Sequence, residues 1–174
     1  MRNPFRRTVP VPDAVHTAAG LGAGERVLAG AQARDGAWLL ASRDALVLVS
    51  SAAEPVRIPW ERVERADWDR DQDRLVVTEV GEYGELQPRH VYALDHPGLL
   101  LDVLRERVTA SVVLQRHVPV QGRRGLFVVA RRPPTGDGPI SWAYEFQAGV
   151  DPHDPEVAAA AEAGLRRAAE ELGQ

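Results

Sequence analysis

The sequence predicts an α+β fold: a seven-stranded antiparallel barrel with a C-terminal helix, then a three-stranded antiparallel meander and a second helix. Three observations predict it. Short apolar runs recur between turn signals over residues 26–94 and again over 111–147. Inside these runs apolar and polar residues alternate with period two. The alternation is cleanest where Ile140, Trp142, Tyr144 and Phe146 oppose Ser141, Ala143, Glu145 and Gln147. Two stretches switch to helical spacing: Leu100, Leu101, Leu104 and Val108, then Val157, Ala161, Gly164, Leu165, Ala168 and Leu172.

The elements are justified in chain order. Residues 1–24 read as an extended N-terminal segment, because Pro4, Pro10 and Pro12 disfavour helix before them and Gly20, Gly22 and Gly24 loosen the chain ahead of the first strand. The Gly-rich run lacks the preceding strand and the spacing of a dinucleotide-binding loop. Strands are expected at 26–33, 37–42 and 45–49, with Asp35-Gly36 and Arg43-Asp44 as turns. A short strand at 55–58 ends at Pro59, and a helical turn is expected over 60–63. Strands at 64–69, 74–80 and 89–94 complete the seven, around a turn at 70–73 and a loop at 81–87. Asp95 reads as the N-cap of the first helix, with Pro97 in its first turn. That helix covers the open end of the barrel's apolar interior.

Two stretches carry a family resemblance. Trp38-Leu39-Leu40-Ala41-Ser42-Arg43-Asp44-Ala45-Leu46 and Arg57-Ile58-Pro59-Trp60-Glu61-Arg62-Val63 resemble the second and third strands, and the step into the second sheet, of bacterial pleckstrin-homology-like domains of the GRAM-like group. The resemblance covers residues 25–109, and its motifs imply a fold, not a catalytic site. The whole chain also resembles an uncharacterised protein family of high-GC bacteria, which implies no activity. All 21 basic residues are Arg and isoleucine occurs only at Ile58 and Ile140, the codon signature of such a genome.

Residues 110–174 form the second unit. A β-branched run at 111–120, a loop at 121–125 and strands at 126–132 and 140–147 make the meander, and Asp154-Pro155 caps the last helix. Glu162 stands four residues before Arg166, the favoured order for a helical ion pair. A unit this small is expected to pack on the first.

Composition excludes several functions. With no cysteine there is no disulfide, thiolate metal site or cysteine nucleophile. No apolar run is long enough to span a membrane, and no apolar stretch comes after the basic start, so a cytoplasmic protein is expected. His16, His90, His96, His117 and His153 are scattered. Asp67, Asp69, Asp71 and Asp73 have calcium-loop spacing, but Gln72 and Thr78 stand where that loop needs glycine and glutamate. A polar hairpin turn is the plainer reading. Asp151 and Asp154 suit a helix N-terminus. No catalytic residue, metal or cofactor is expected, and the protein is read as a non-enzyme.

Interaction candidates remain. Trp38, Trp142 and Phe146 read as core, whereas Trp60 and Trp68 lie at strand ends, where they can line a groove. Residues 107–136 hold six Arg (Arg107, Arg116, Arg123, Arg124, Arg131 and Arg132) and no acid, while the rest of the chain carries 15 Arg against 25 acids. In an antiparallel hairpin Arg116 and Arg131 are expected to lie near each other at the open end, with Arg123 and Arg124 at the tip. The function expected is a non-catalytic binding or scaffold protein that meets a protein partner, a second copy included. The alternatives are binding of an anionic ligand, a phospholipid headgroup or RNA, through the Arg-rich segment, and an enzyme with an unrecognised site. The order helix, three strands, helix resembles a double-stranded-RNA-binding domain, but Asp151, Asp154 and Glu156 stand where that family is basic, so nucleic acid is not expected.

Overall fold

A computed structural model describes residues 10–174. The first element among the described residues is helix α1 (Asp13–Ala18). A four-stranded sheet comes next, in chain order: β1 (Val27–Gln32), β2 (Trp38–Ser42), β3 (Ala45–Val49) and β4 (Val56–Pro59). A 3-10 turn, Trp60–Arg62, leads to a three-stranded sheet of β5 (Val63–Asp69), β6 (Arg74–Glu79) and β7 (Arg89–Ala93). Helix α2 (Leu100–Ser111) precedes a third sheet of β8 (Val112–Gln121), β9 (Arg124–Arg131) and β10 (Ser141–Phe146), and helix α3 (Pro155–Glu171) ends the fold. All pairings are antiparallel, with the third sheet ordered β10-β9-β8.

The seven strands expected as one barrel form two sheets, and no sheet among the described residues closes on itself. The break stems from Pro59, which has no N–H to continue the ladder, after which the 3-10 turn redirects the chain. Where β1 and β7 end, Arg34 N–H donates to Ala93 O at 2.9 Å. Leu39, Leu46, Ile58, Trp60, Leu75, Leu94, Leu100 and Leu104 share one core that includes residues of both sheets and of α2.

The segment expected to be extended holds α1 within its described part. Pro12 stays extended at the N-cap, and residues 1–9 lie outside the described residues. Val11, Val15, Ala19 and Leu21 pack on Trp38, Leu40, Val47 and Val49, the face of the first sheet turned away from the main core. With both faces covered, β2 and β3 are buried throughout, and so they read as continuous apolar runs. Glu25 ties this strap down. It accepts from Gly22 N–H at 3.1 Å, from the Ser42 hydroxyl, and from Arg57 Nη2 at 2.9 Å.

The expected Asp95 cap is not formed: α2 starts after Leu99 with no side-chain cap. Leu100 N–H bonds Pro97 O, and Asp95 instead accepts from Arg34 Nε at 2.7 Å. The Asp154 cap of α3 does form, accepting from Glu156 N–H at 2.8 Å. Val157, Ala161, Gly164 and Ala168 are the buried face of α3. Val157, Ala161 and Ala168 share a core with Leu126 and Val128 of β9. No helix among the described residues is long and apolar enough to cross a membrane.

Candidate functional site

The structure disperses the Arg-rich surface. Arg131 is 3% exposed. Its Nη1 donates to Val63 O at 3.1 Å and Ser111 Oγ at 3.0 Å, and its Nη2 to Glu64 O at 3.1 Å and Glu145 Oε1 at 3.2 Å. It is a clamp between the second and third sheets. Arg116 lies opposite Val128, not beside Arg131. It reaches along the face under α3 to pair with Glu171, Nε to Oε2 at 3.0 Å. Arg123 and Arg124 stand exposed at the β8–β9 tip and Arg132 is exposed at the hairpin's other end. Trp60 is fully buried, its indole N–H donating to Ser42 O at 3.1 Å, and Trp68 packs partly buried against the first core. Trp60 therefore lines no groove. The expected side-by-side placement of Arg116 and Arg131 fails because the turn is tight, with Gln121 opposite Arg124, and the register shift between Pro119 and Gln121 puts Arg116 opposite Val128, on the other face of the sheet from Arg131.

The Asp-rich turn is spent locally. Asp69 accepts from Asp71 and Gln72 N–H groups at 3.0 and 3.1 Å, Asp67 pairs with Arg65 at 3.2 Å, and Asp73 pairs with Arg34 at 3.1 Å. No three metal-ligating side chains gather among the described residues.

A cleft of about 360 Å³ lies instead between β5 and β10. Both are outer strands of their sheets. Tyr144, Glu145 and Phe146 line it consecutively. Successive side chains of a strand point to opposite faces, so the wall here is the edge of β10. The β6–β7 loop closes another side. Tyr83 sets its ring edge-on to Tyr144 and Phe146, at 5.2 and 5.3 Å, and its hydroxyl donates to Pro152 O at 2.9 Å. Gly84 permits this seat. Its φ is +74°, and a Cβ there would sit 3.0 Å from the His153 ring.

Glu64 lines the cleft from β5 at a break in register, between Val63 opposite Glu79 and Arg65 opposite Thr78. Such a β-bulge re-aims the extra residue's side chain. The Glu64 carboxylate accepts from the Gln87 amide. Burial and then the charge of Glu145 raise its pKa, against the opposing pull of Gln87, Arg65 and Arg131. Glu82 and Glu85 add two carboxylates to the lining, which holds one cation, Arg65. The arrangement favours a positive charge between carboxylates and aromatic edges. One sequence signal pointed here: Glu145 is the single charged residue in the alternating run that ends at Phe146. The bulge at Glu64 leaves no sequence mark.

Comparison of the chain with protein-family models, curated proteins and solved structures returns no match.

Proposed function

We propose that this is a non-catalytic binding protein whose ligand presents a cationic group to the cleft between β5 and β10. The observation that carries the reading is Glu64, displaced on a bulge into a lining with three further glutamates, its ionised form already disfavoured by burial and by Glu145. A cation entering the cleft offsets that cost. Residues 25–109 are read as a pleckstrin-homology-like unit. The four-plus-three antiparallel strand order and α2 against the shared core support that reading. Titration with N-acetylarginine methylamide, monitored by NMR, tests the proposal. Shifts centred on Glu64, Gln87 and Tyr144 are expected, weakening with salt and lost in Glu64→Gln. Absence of binding at low salt overturns it.

Arg123 and Arg124 favour a second reading, contact of the β8–β9 tip with an acidic protein surface, because both are exposed and neither guanidinium makes a hydrogen bond or ion pair among the described residues. Salt-sensitive self-association abolished by changing both to Gln is the outcome that supports it.

A further inference from the structure

We propose that the occupant of the cleft is an extended, arginine- or lysine-bearing polypeptide segment that pairs its backbone with the outer edge of β10. The proposal rests on the cationic-ligand reading above and adds what kind of molecule carries the cation.

The edges of the two walls differ. Every second residue of an outer strand turns its N–H and C=O away from the sheet, a template for another strand. On β5 that template is spoiled. Glu64 sits on a bulge, and the carbonyls of Val63 and Glu64 already accept from Arg131. β8, the other outer strand of the third sheet, is broken by Pro119 and two register shifts. β10 carries none of these devices. It pairs with β9 in unbroken register from Ser141–Arg131 to Phe146–Leu126, and its outer edge faces the cleft through Tyr144, Glu145 and Phe146. A regular edge left open is the usual site of strand addition, where backbone bonds give affinity and side-chain pockets give specificity.

Charge selects the strand that adds. Glu145 lies on β10 itself, and Glu64, Glu82 and Glu85 line the same space. Among these carboxylates Arg131 pairs with Glu145 alone, and Gln87 gives Glu64 only a neutral donor, so four carboxylates face two guanidinium groups, Arg65 and Arg131. An acidic or neutral strand adds burial without offsetting that excess, whereas a basic side chain meets it directly. The cleft is at the small end of ligand-pocket sizes, about 300–1,000 Å³. It therefore takes one basic side chain and its flanking peptide groups, not a folded element. Leu86, 97% exposed beside the cleft, offers an apolar contact to the next residue of the segment.

The test compares two probes on the full chain: N-acetylarginine methylamide, and the acetylated, amidated pentapeptide Val-Arg-Val-Arg-Val. The pentapeptide is expected to bind at least about tenfold tighter. Methylating the amide nitrogen that faces β10 is expected to remove that gain, and the pentapeptide is expected to slow hydrogen exchange at β10 amides. Glu64→Gln, a neutral isostere, is expected to weaken both probes. If the single-residue probe binds but the pentapeptide gains nothing and methylation changes nothing, strand addition is overturned while the cationic reading stands. If neither probe binds, both readings fall. Equal binding of the Val-Glu-Val-Glu-Val counterpart overturns the choice of a basic segment. Self-association of the free protein that Glu64→Gln abolishes assigns the cleft to a second copy and overturns it too.

Discussion

At the residue scale, three charged side chains decide how the parts hold together. Arg131 gives four hydrogen bonds from a site 3% exposed, two of them to backbone carbonyls of β5. Removing one partner of a buried pair costs about 3–5 kcal/mol. Arg131→Met is expected to lose that much in urea unfolding. Arg131→Lys is expected to recover little, since an ammonium cannot fork between β5 carbonyls and Glu145. Glu25 and Glu64 titrate with opposite sign. Burial pushes Glu25 up, but its bonds from Arg57, Ser42 and Gly22 outweigh this and lower its pKa. Its contribution is present above the unfolded carboxylate range and lost as pH falls through the folded value. Glu64, with its pKa raised, favours folding fully below the unfolded range, and the contribution is lost as pH rises through the folded value. At pH 7 Glu25→Gln is therefore expected to lower the unfolding midpoint and Glu64→Gln to raise it. Both differences are expected to shrink below about pH 4.

At the element scale, α3 is fitted to its sheet by a missing side chain. A Cβ on Gly164 would stand 2.5 Å from Val118 Cγ2 and 3.3 Å from Val128 Cγ2. Alanine is the better helix former by about 1 kcal/mol, yet Gly164→Ala is expected to destabilise by about 1–3 kcal/mol through overpacking. Adding Val118→Ala to that variant is expected to restore part of the loss, a coupling that a double-mutant cycle in urea reads directly. The hairpin below is less forgiving. At Gly125 a Cβ would lie 1.9 Å from the Val118 carbonyl oxygen, which is backbone and has nowhere to move. Gly125→Ala is expected to prevent normal pairing of β8 with β9, seen as lost amide protection in both strands.

At the scale of the whole molecule, the two halves share more than a linker. α2 runs to Ser111 and β8 begins at the next residue. Ser111 accepts from Arg131 through its hydroxyl and from Arg132 N–H through its carbonyl, at 3.0 and 2.9 Å. The full chain is expected to unfold in one transition, with coincident near- and far-UV circular dichroism. A chain ending at Thr109 cuts the last turn of α2 and removes the donor to β5's carbonyls, so its midpoint is expected to fall well below that of the full chain. Equal midpoints for the two separate halves and the full chain would show the halves to be independent.

The sequence by itself determined the elements: strands where apolar residues alternate or run between turns, α3 with its Asp154 cap, and antiparallel pairing through tight turns. These are local matters, decided by periodicity and turn chemistry within a few residues. Tertiary structure alone decided the rest. The Asp95 carboxylate went to Arg34 instead of a helix end, because the partner sits 61 residues away. The strap at residues 10–24 became partly helical because burying Val15 and Ala19 on Trp38 and Leu40 outweighs weak local propensity. The run of arginines parted into a buried clamp, an ion pair and a bare tip because one register shift moves a side chain to the other face of a sheet. The cleft, finally, exists only where two outer strands from different sheets face each other across the β6–β7 loop, an arrangement set by packing between segments and not by the order of residues within any one of them.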